Sequence, residues 1–124
     1  MNLPSNFEDL ISEAQELKLY KKLILQLNKD MLYANIDLEF DKETLPSSLK
    51  LTLHEVLFHL IQNKFSDYLN LLYIIDVSEV KIKALDGSDV LQLSEEVCFL
   101  VLQREWQKVW FKHKYKTKSP KDEL

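Results

Sequence analysis

Glycine occurs once in the 124 residues, cysteine once and proline three times. So few turn-formers exclude the many tight reversals of an all-β sandwich and leave no glycine-rich loop to cradle a phosphate. The lone Cys98 rules out an intrachain disulfide framework and any multi-cysteine metal site. Between Val97 and Phe99 it reads as a small hydrophobe at the edge of a core. The apolar runs are too short to span a membrane; Tyr68–Ile75 is bracketed by Asp67 and Asp76. The first twenty residues contain Glu8, Asp9, Glu13 and Glu16 and no apolar leader. The final Lys121-Asp122-Glu123-Leu124 matches an endoplasmic-reticulum retention address. That address is read only inside the secretory pathway, so without a leader the match is taken as coincidence and a cytoplasmic location is expected.

What is present points to one soluble, helical domain. An apolar fraction of 46% beside 29% charged residues is enough to build a core and argues against disorder. The net charge of −4 conceals an uneven distribution. Residues 1–103 hold nine Lys/Arg and seventeen Asp/Glu, a net of −8, whereas residues 104–124 hold seven and three, a net of +4. Such a split suits docking to an acidic partner or to the acidic part of a second copy.

Hydrophobic periodicity predicts an all-α, elongated bundle of three long helices plus one short helix. A capping box at Ser5 and Glu8 starts the first, and apolar positions recur from Leu10 to Ala34 without Gly or Pro, so one helix is expected over about 6–35. Ile36 to Asp41 alternates apolar and acidic residues; with no strand to pair with, it is expected to be an extended connector across the bundle. A second long helix is expected over about 46–75, beginning at Pro46. Its apolar arc exceeds what a surface helix needs, so it is either central or in contact with another chain. Asp76 and Glu79 resemble a capping box for a short helix over about 77–85, closed by Asp86-Gly87 at a turn suited to a positive φ. The last helix is expected from Ser88 or Asp89 to about Lys116, with Ser94 as a candidate kink. The domain is thus placed at 1–116, with a flexible Lys-rich tail at 117–124.

Tests for chemistry are mostly negative. His54 and His59 are five residues apart, about 140° around a helix, where shared metal ligation wants four. His54 falls toward the apolar arc and His59 on the polar face. Asp86-Gly87-Ser88-Asp89 lacks the remaining ligands of a calcium loop. Asp37/Glu39 and Asp41/Glu43 lie in an exposed, charge-dense connector unsuited to acid–base work. No enzymatic activity, cofactor or metal is expected.

The last helix carries the strongest signal. Arg104, Lys108, Lys112 and Lys116 follow four residues apart along one face, while Phe99, Leu102, Trp106, Val109, Trp110 and His113 fall on the other. Phe111 and Tyr115 project near the basic row. Two candidate contact surfaces result. One is the basic end, with Arg104, Lys108, Lys112, Phe111 and Tyr115. The other is surplus apolar surface at Phe58, Phe65, Leu69 and Tyr73. A protein partner or a homo-oligomer is expected, with no membrane contact. Nucleic-acid contact through the basic row is the alternative, disfavoured by the acidic body. A small enzyme completed only between subunits is a further alternative.

Three stretches carry a resemblance: Tyr68 to Glu79, Leu85 to Asp89, and Arg104-Glu105-Trp106-Gln107-Lys108-Val109-Trp110. Together they resemble small helical proteins of Bacteroidetes bacteria that have no assigned activity. The resemblance covers mainly the C-terminal half. It implies a bacterial cytoplasmic setting and transfers no functional residue.

Overall fold

A computed structural model describes the backbone of residues 2–118 and the side chains of residues 2–116. Among the described residues six helices follow in order: α1 (Phe7–Glu16), α2 (Tyr20–Tyr33), α3 (Pro46–Asn63), α4 (Phe65–Ile75), α5 (Glu79–Lys83) and α6 (Val90–Lys118). No strand occurs among the described residues, as an all-α fold requires. The expected three long helices plus one short are corrected to six, because the first two long helices each divide. Most of the expected Lys-rich tail lies outside the described residues.

The division of the first helix is at Leu17–Leu19, where Lys18 adopts φ 60°. Leu19 N–H donates to Ala14 O at 2.7 Å and Lys18 N–H to Gln15 O at 3.0 Å. Those two bonds make a Schellman motif, which ends a helix by turning one residue left-handed and tucking the next apolar residue back on the last turn. Leu19 is buried against that turn, as is Ala14. The same pair of bonds ends α2 at Asn35 (φ 62°), from Asn35 N to Leu32 O and Ile36 N to Met31 O. It ends α4 at Asp76 (φ 69°), from Asp76 N to Tyr73 O and Val77 N to Leu72 O. Among the described residues the left-handed ones are thus Lys18, Asn35 and Asp76, while Gly87 does not take a positive φ. Asp76 accordingly closes α4 and does not open α5; Ser78 caps α5, its Oγ accepting from Lys81 N–H at 3.3 Å.

The second expected helix breaks at Lys64 (φ −142°, ψ 62°). The break re-aims the chain, so that α3 buries Leu49, Leu53, Leu57 and Leu60 while α4 buries Tyr68, Leu71, Leu72 and Ile75. At the start of the chain Asn6, not Ser5, is the cap: its Oδ1 accepts from Asp9 N–H at 2.8 Å. Asp89 opens α6, its Oδ1 accepting from the backbone N–H groups of Leu91 and Gln92.

Helix α6 is the central element and packs against α1, α2, α3 and α4. Val97, Cys98, Val101, Leu102, Glu105, Trp106 and Val109 are all buried on it. The connector 36–45 forms neither helix nor strand, turns at 42–43 where Thr44 N–H donates to Asp41 O at 2.9 Å, and is stitched to α2. Asn28 donates from Nδ2 to Phe40 O and accepts Phe40 N–H on Oδ1, both at 2.8 Å, and the Phe40 ring is buried. Tyr20 O–H donates to Thr44 O at 2.6 Å. Among the described residues, no helix is long and apolar enough to cross a membrane.

Candidate functional site: the basic junction of α2 and α6

The row Arg104, Lys108, Lys112 advances about 40° around α6 with each four-residue step, because 3.6 residues complete a turn. A helix buried over more than half its circumference therefore draws part of that row inward. Arg104 donates from Nε to Asp76 O and from Nη2 to Asp76 Oδ2, each at 3.0 Å, and from Nη1 to Gln107 Oε1. It thereby caps the left-handed end of α4. Lys108 donates from Nζ to Asp30 Oδ2 at 2.8 Å, and Lys112 from Nζ to Gln26 Oε1 at 2.6 Å. The basic row is only in part the outward face that helical spacing suggests: Arg104 and Lys108 are half-buried, while Lys112 and Lys116 are exposed. Its cations bind α6 to α4 and α2.

Beneath this row lies a buried ionisable group that periodicity does not reveal. Glu105 is fully buried, Asp30 is 4% exposed, and the Lys108 ammonium sits between them, 3.8 Å from Glu105 Oε1. Two carboxylates and one ammonium would leave a net negative charge in the core, at a prohibitive cost. Burial first, and then the neighbouring Asp30, push the Glu105 carboxyl up to about 10, against the weaker pull of Lys108 and Arg104. Burial works against the Asp30 carboxylate too, but the hydrogen bonds from Glu105, Lys108 and Gln26 outweigh it and hold Asp30 below its usual range. As a carboxylate, Glu105 has no donor for either oxygen. Protonated, it donates to Asp30 and the cluster becomes neutral. Gln26 Nε2 completes the shell of Asp30 at 3.3 Å.

The aromatic part of the basic end is layered. Phe111 is half-buried and stacks on the 64%-exposed Tyr115 with ring centres 6.0 Å apart, and Trp110 meets Phe111 edge-on at 5.2 Å. The second predicted surface is elsewhere. Phe65, Leu69 and Tyr73 form an exposed row along α4, while Phe58 is half-buried on α3. The nine predicted residues thus divide between two places. The structure adds Lys22 and Lys29 of α2, which line a hollow with Lys112, and the buried Asp30 and Glu105. The α2 lysines were legible as Lys22-x3-Gln26-x2-Lys29 on one helical face; Glu105, adjacent to Trp106 and four residues from Val101, was legible as a core position carrying a charge.

A larger hollow of about 760 Å3 separates the start of α1 from α3 and α6, and includes His54 and Cys98. His54 Nε2 is 2.7 Å from Ser94 Oγ, whose proton goes to Leu91 O, so the ring donates to the hydroxyl. Ser94 is fully buried and burial pushes the Cys98 thiol up to about 12, so neither is an activated nucleophile. His59 is exposed on α3, as expected, beside Asn63. Among the described residues, no three His, Cys, Asp or Glu side chains are grouped to hold a metal ion. No family model, curated protein or solved structure matches this chain.

Proposed function

We propose that this chain is a non-enzymatic protein–protein interaction module of a bacterial cytoplasm and associates with itself through α4. The observation that carries the reading is the row Phe65, Leu69 and Tyr73, which are 54%, 49% and 81% exposed on a helix whose opposite side is in the core. Side chains four residues apart make a continuous apolar ridge about 12 Å long. Aromatic anchors of this kind are enriched at the centres of protein interfaces. Nucleic-acid contact through α6 gains less support, since Arg104 and Lys108 are tied to Asp76 and Asp30 and the chain is net acidic.

Size exclusion with light scattering, at low and high salt, tests the reading on the wild type and on Leu69→Glu. A dimer that persists in high salt and becomes monomeric in the variant supports it. A wild-type monomer under both conditions, or a dimer that the variant leaves intact, refutes it.

A further inference from the structure

Between α2 and α6 a cavity of about 420 Å3 is lined by Lys22, Lys29, Lys112 and Lys116, together with His113. Among the described residues no carboxylate lines it, in a chain with 20 Asp/Glu against 16 Lys/Arg. Its floor is apolar, formed by Leu19 and Val109 with Leu25 at the edge. Several ammonium groups around one hollow repel each other and attract an anion, and low-dielectric walls focus that field.

Asp30, joined to the cavity lining through Gln26, is already paired with the Lys108 ammonium at 2.8 Å. Lys112 is held in place: Gln26, only 8% exposed, accepts its ammonium at 2.6 Å and donates in turn to Asp30. A buried hydrogen-bond chain therefore pre-sets one cation, while Lys22, Lys29 and Lys116 are exposed, Lys29 with its ammonium 5.9 Å from the centre of the Tyr33 ring. The volume falls within the range of small-molecule sites. A long polyanion gains less, because Arg104 and Lys108 further along α6 are already paired with Asp76 and Asp30.

We infer that this cavity binds a small anion carrying two or more phosphate groups on a compact, partly apolar body. The site shares no residue with the α4 row, so it stands or falls independently of self-association.

Isothermal titration calorimetry of the full chain at low salt tests the inference, with tripolyphosphate and adenosine triphosphate as probes and a short single-stranded DNA as the competing class. One saturable site per chain is expected, weakening as salt rises, with the nucleotide bound more tightly than tripolyphosphate because of the apolar floor. Lys29→Gln and Lys112→Gln should each weaken binding about fivefold, the loss of one charge-assisted contact, while Lys64→Gln, outside the cavity, leaves it unchanged. Circular dichroism melts establish that the variants fold. No saturable heat at millimolar probe would overturn the inference. So would equal weakening by Lys64→Gln and Lys29→Gln, or DNA binding that exceeds nucleotide binding and survives both cavity substitutions.

Discussion

Replacing Glu105 by Gln should make the protein more stable at neutral pH, although it removes a buried charge-bearing residue from the centre of the fold. Glu105 is fully buried, and burial together with the neighbouring Asp30 pushes its carboxyl up to about 10 from an ordinary 4.5. A group whose folded value is raised contributes its full stability below the unfolded value and loses it as pH rises toward the folded one. The relevant window is therefore pH 4.5 to 10. Keeping the carboxyl protonated across the roughly 2.5 pH units from 4.5 to neutral costs about 3 kcal/mol, at about 1.4 kcal/mol per unit. Gln needs no proton and still donates to Asp30, but its second N–H is left without a partner at about 1 kcal/mol. The net gain at pH 7 is then about 2 kcal/mol. Urea unfolding at pH 5, 7 and 9 measures it, with an unchanged slope showing that the folded and unfolded states keep their compactness. The difference between variant and wild type should be near zero at pH 5 and grow with pH. Asp30, held low, loses its contribution only as pH falls below its ordinary 3.8, so it does not enter this window. A difference that is constant from pH 5 to 9 would refute the reasoning, because it would mean that folded Glu105 is ionised.

Three further outcomes follow from the same contacts. Lys108→Ala strands the Asp30 charge 4% exposed and should cost about 3 kcal/mol, or about 10 °C in a melt, with Asp30→Asn restoring part of it; an unchanged melting temperature would show that the ion pair is not formed. Lys18→Gly relieves a left-handed Cβ and should raise stability by about 0.5–1 kcal/mol in urea titration, whereas a lower midpoint would place that turn elsewhere. Asn28→Ala removes both bonds to Phe40 and should cost about 2 kcal/mol. Its amide at Phe40 should exchange faster with solvent, and unaltered exchange would mean that the connector is held by its buried ring alone.

The helical class was legible because scarce Gly and Pro combined with 3.6-residue periodicity leave few alternatives. The strand-free connector after α2, the short fifth helix and the start of α6 near Asp89 were legible for similarly local reasons. The helix ends at Lys18 and Lys64 were not. Both use ordinary lysines where a breaker would normally mark the place, and Leu19 takes up a buried position only because α1 and α2 pack together. Lys18-Leu19, Asn35-Ile36 and Asp76-Val77 share a polar-then-apolar signature, but the same pairs also occur inside helices. Likewise Gly87 is the one glycine of the chain, yet the left-handed positions among the described residues fall to Lys18, Asn35 and Asp76.

The charged residues show the same boundary. Sequence alone determined that Arg104, Lys108 and Lys112 share a helical row and that Phe65, Leu69 and Tyr73 share another, since both follow from the fixed turn of a helix. Only tertiary structure decided that the first row is drawn into contact with Asp76, Asp30 and Gln26 while the second remains exposed. It also decided that Lys22 and Lys29 stand opposite Lys112 and Lys116 around one cavity. Periodicity orders side chains around their own axis, but burial and charge pairing depend on the neighbouring axes, and those are set by long-range packing.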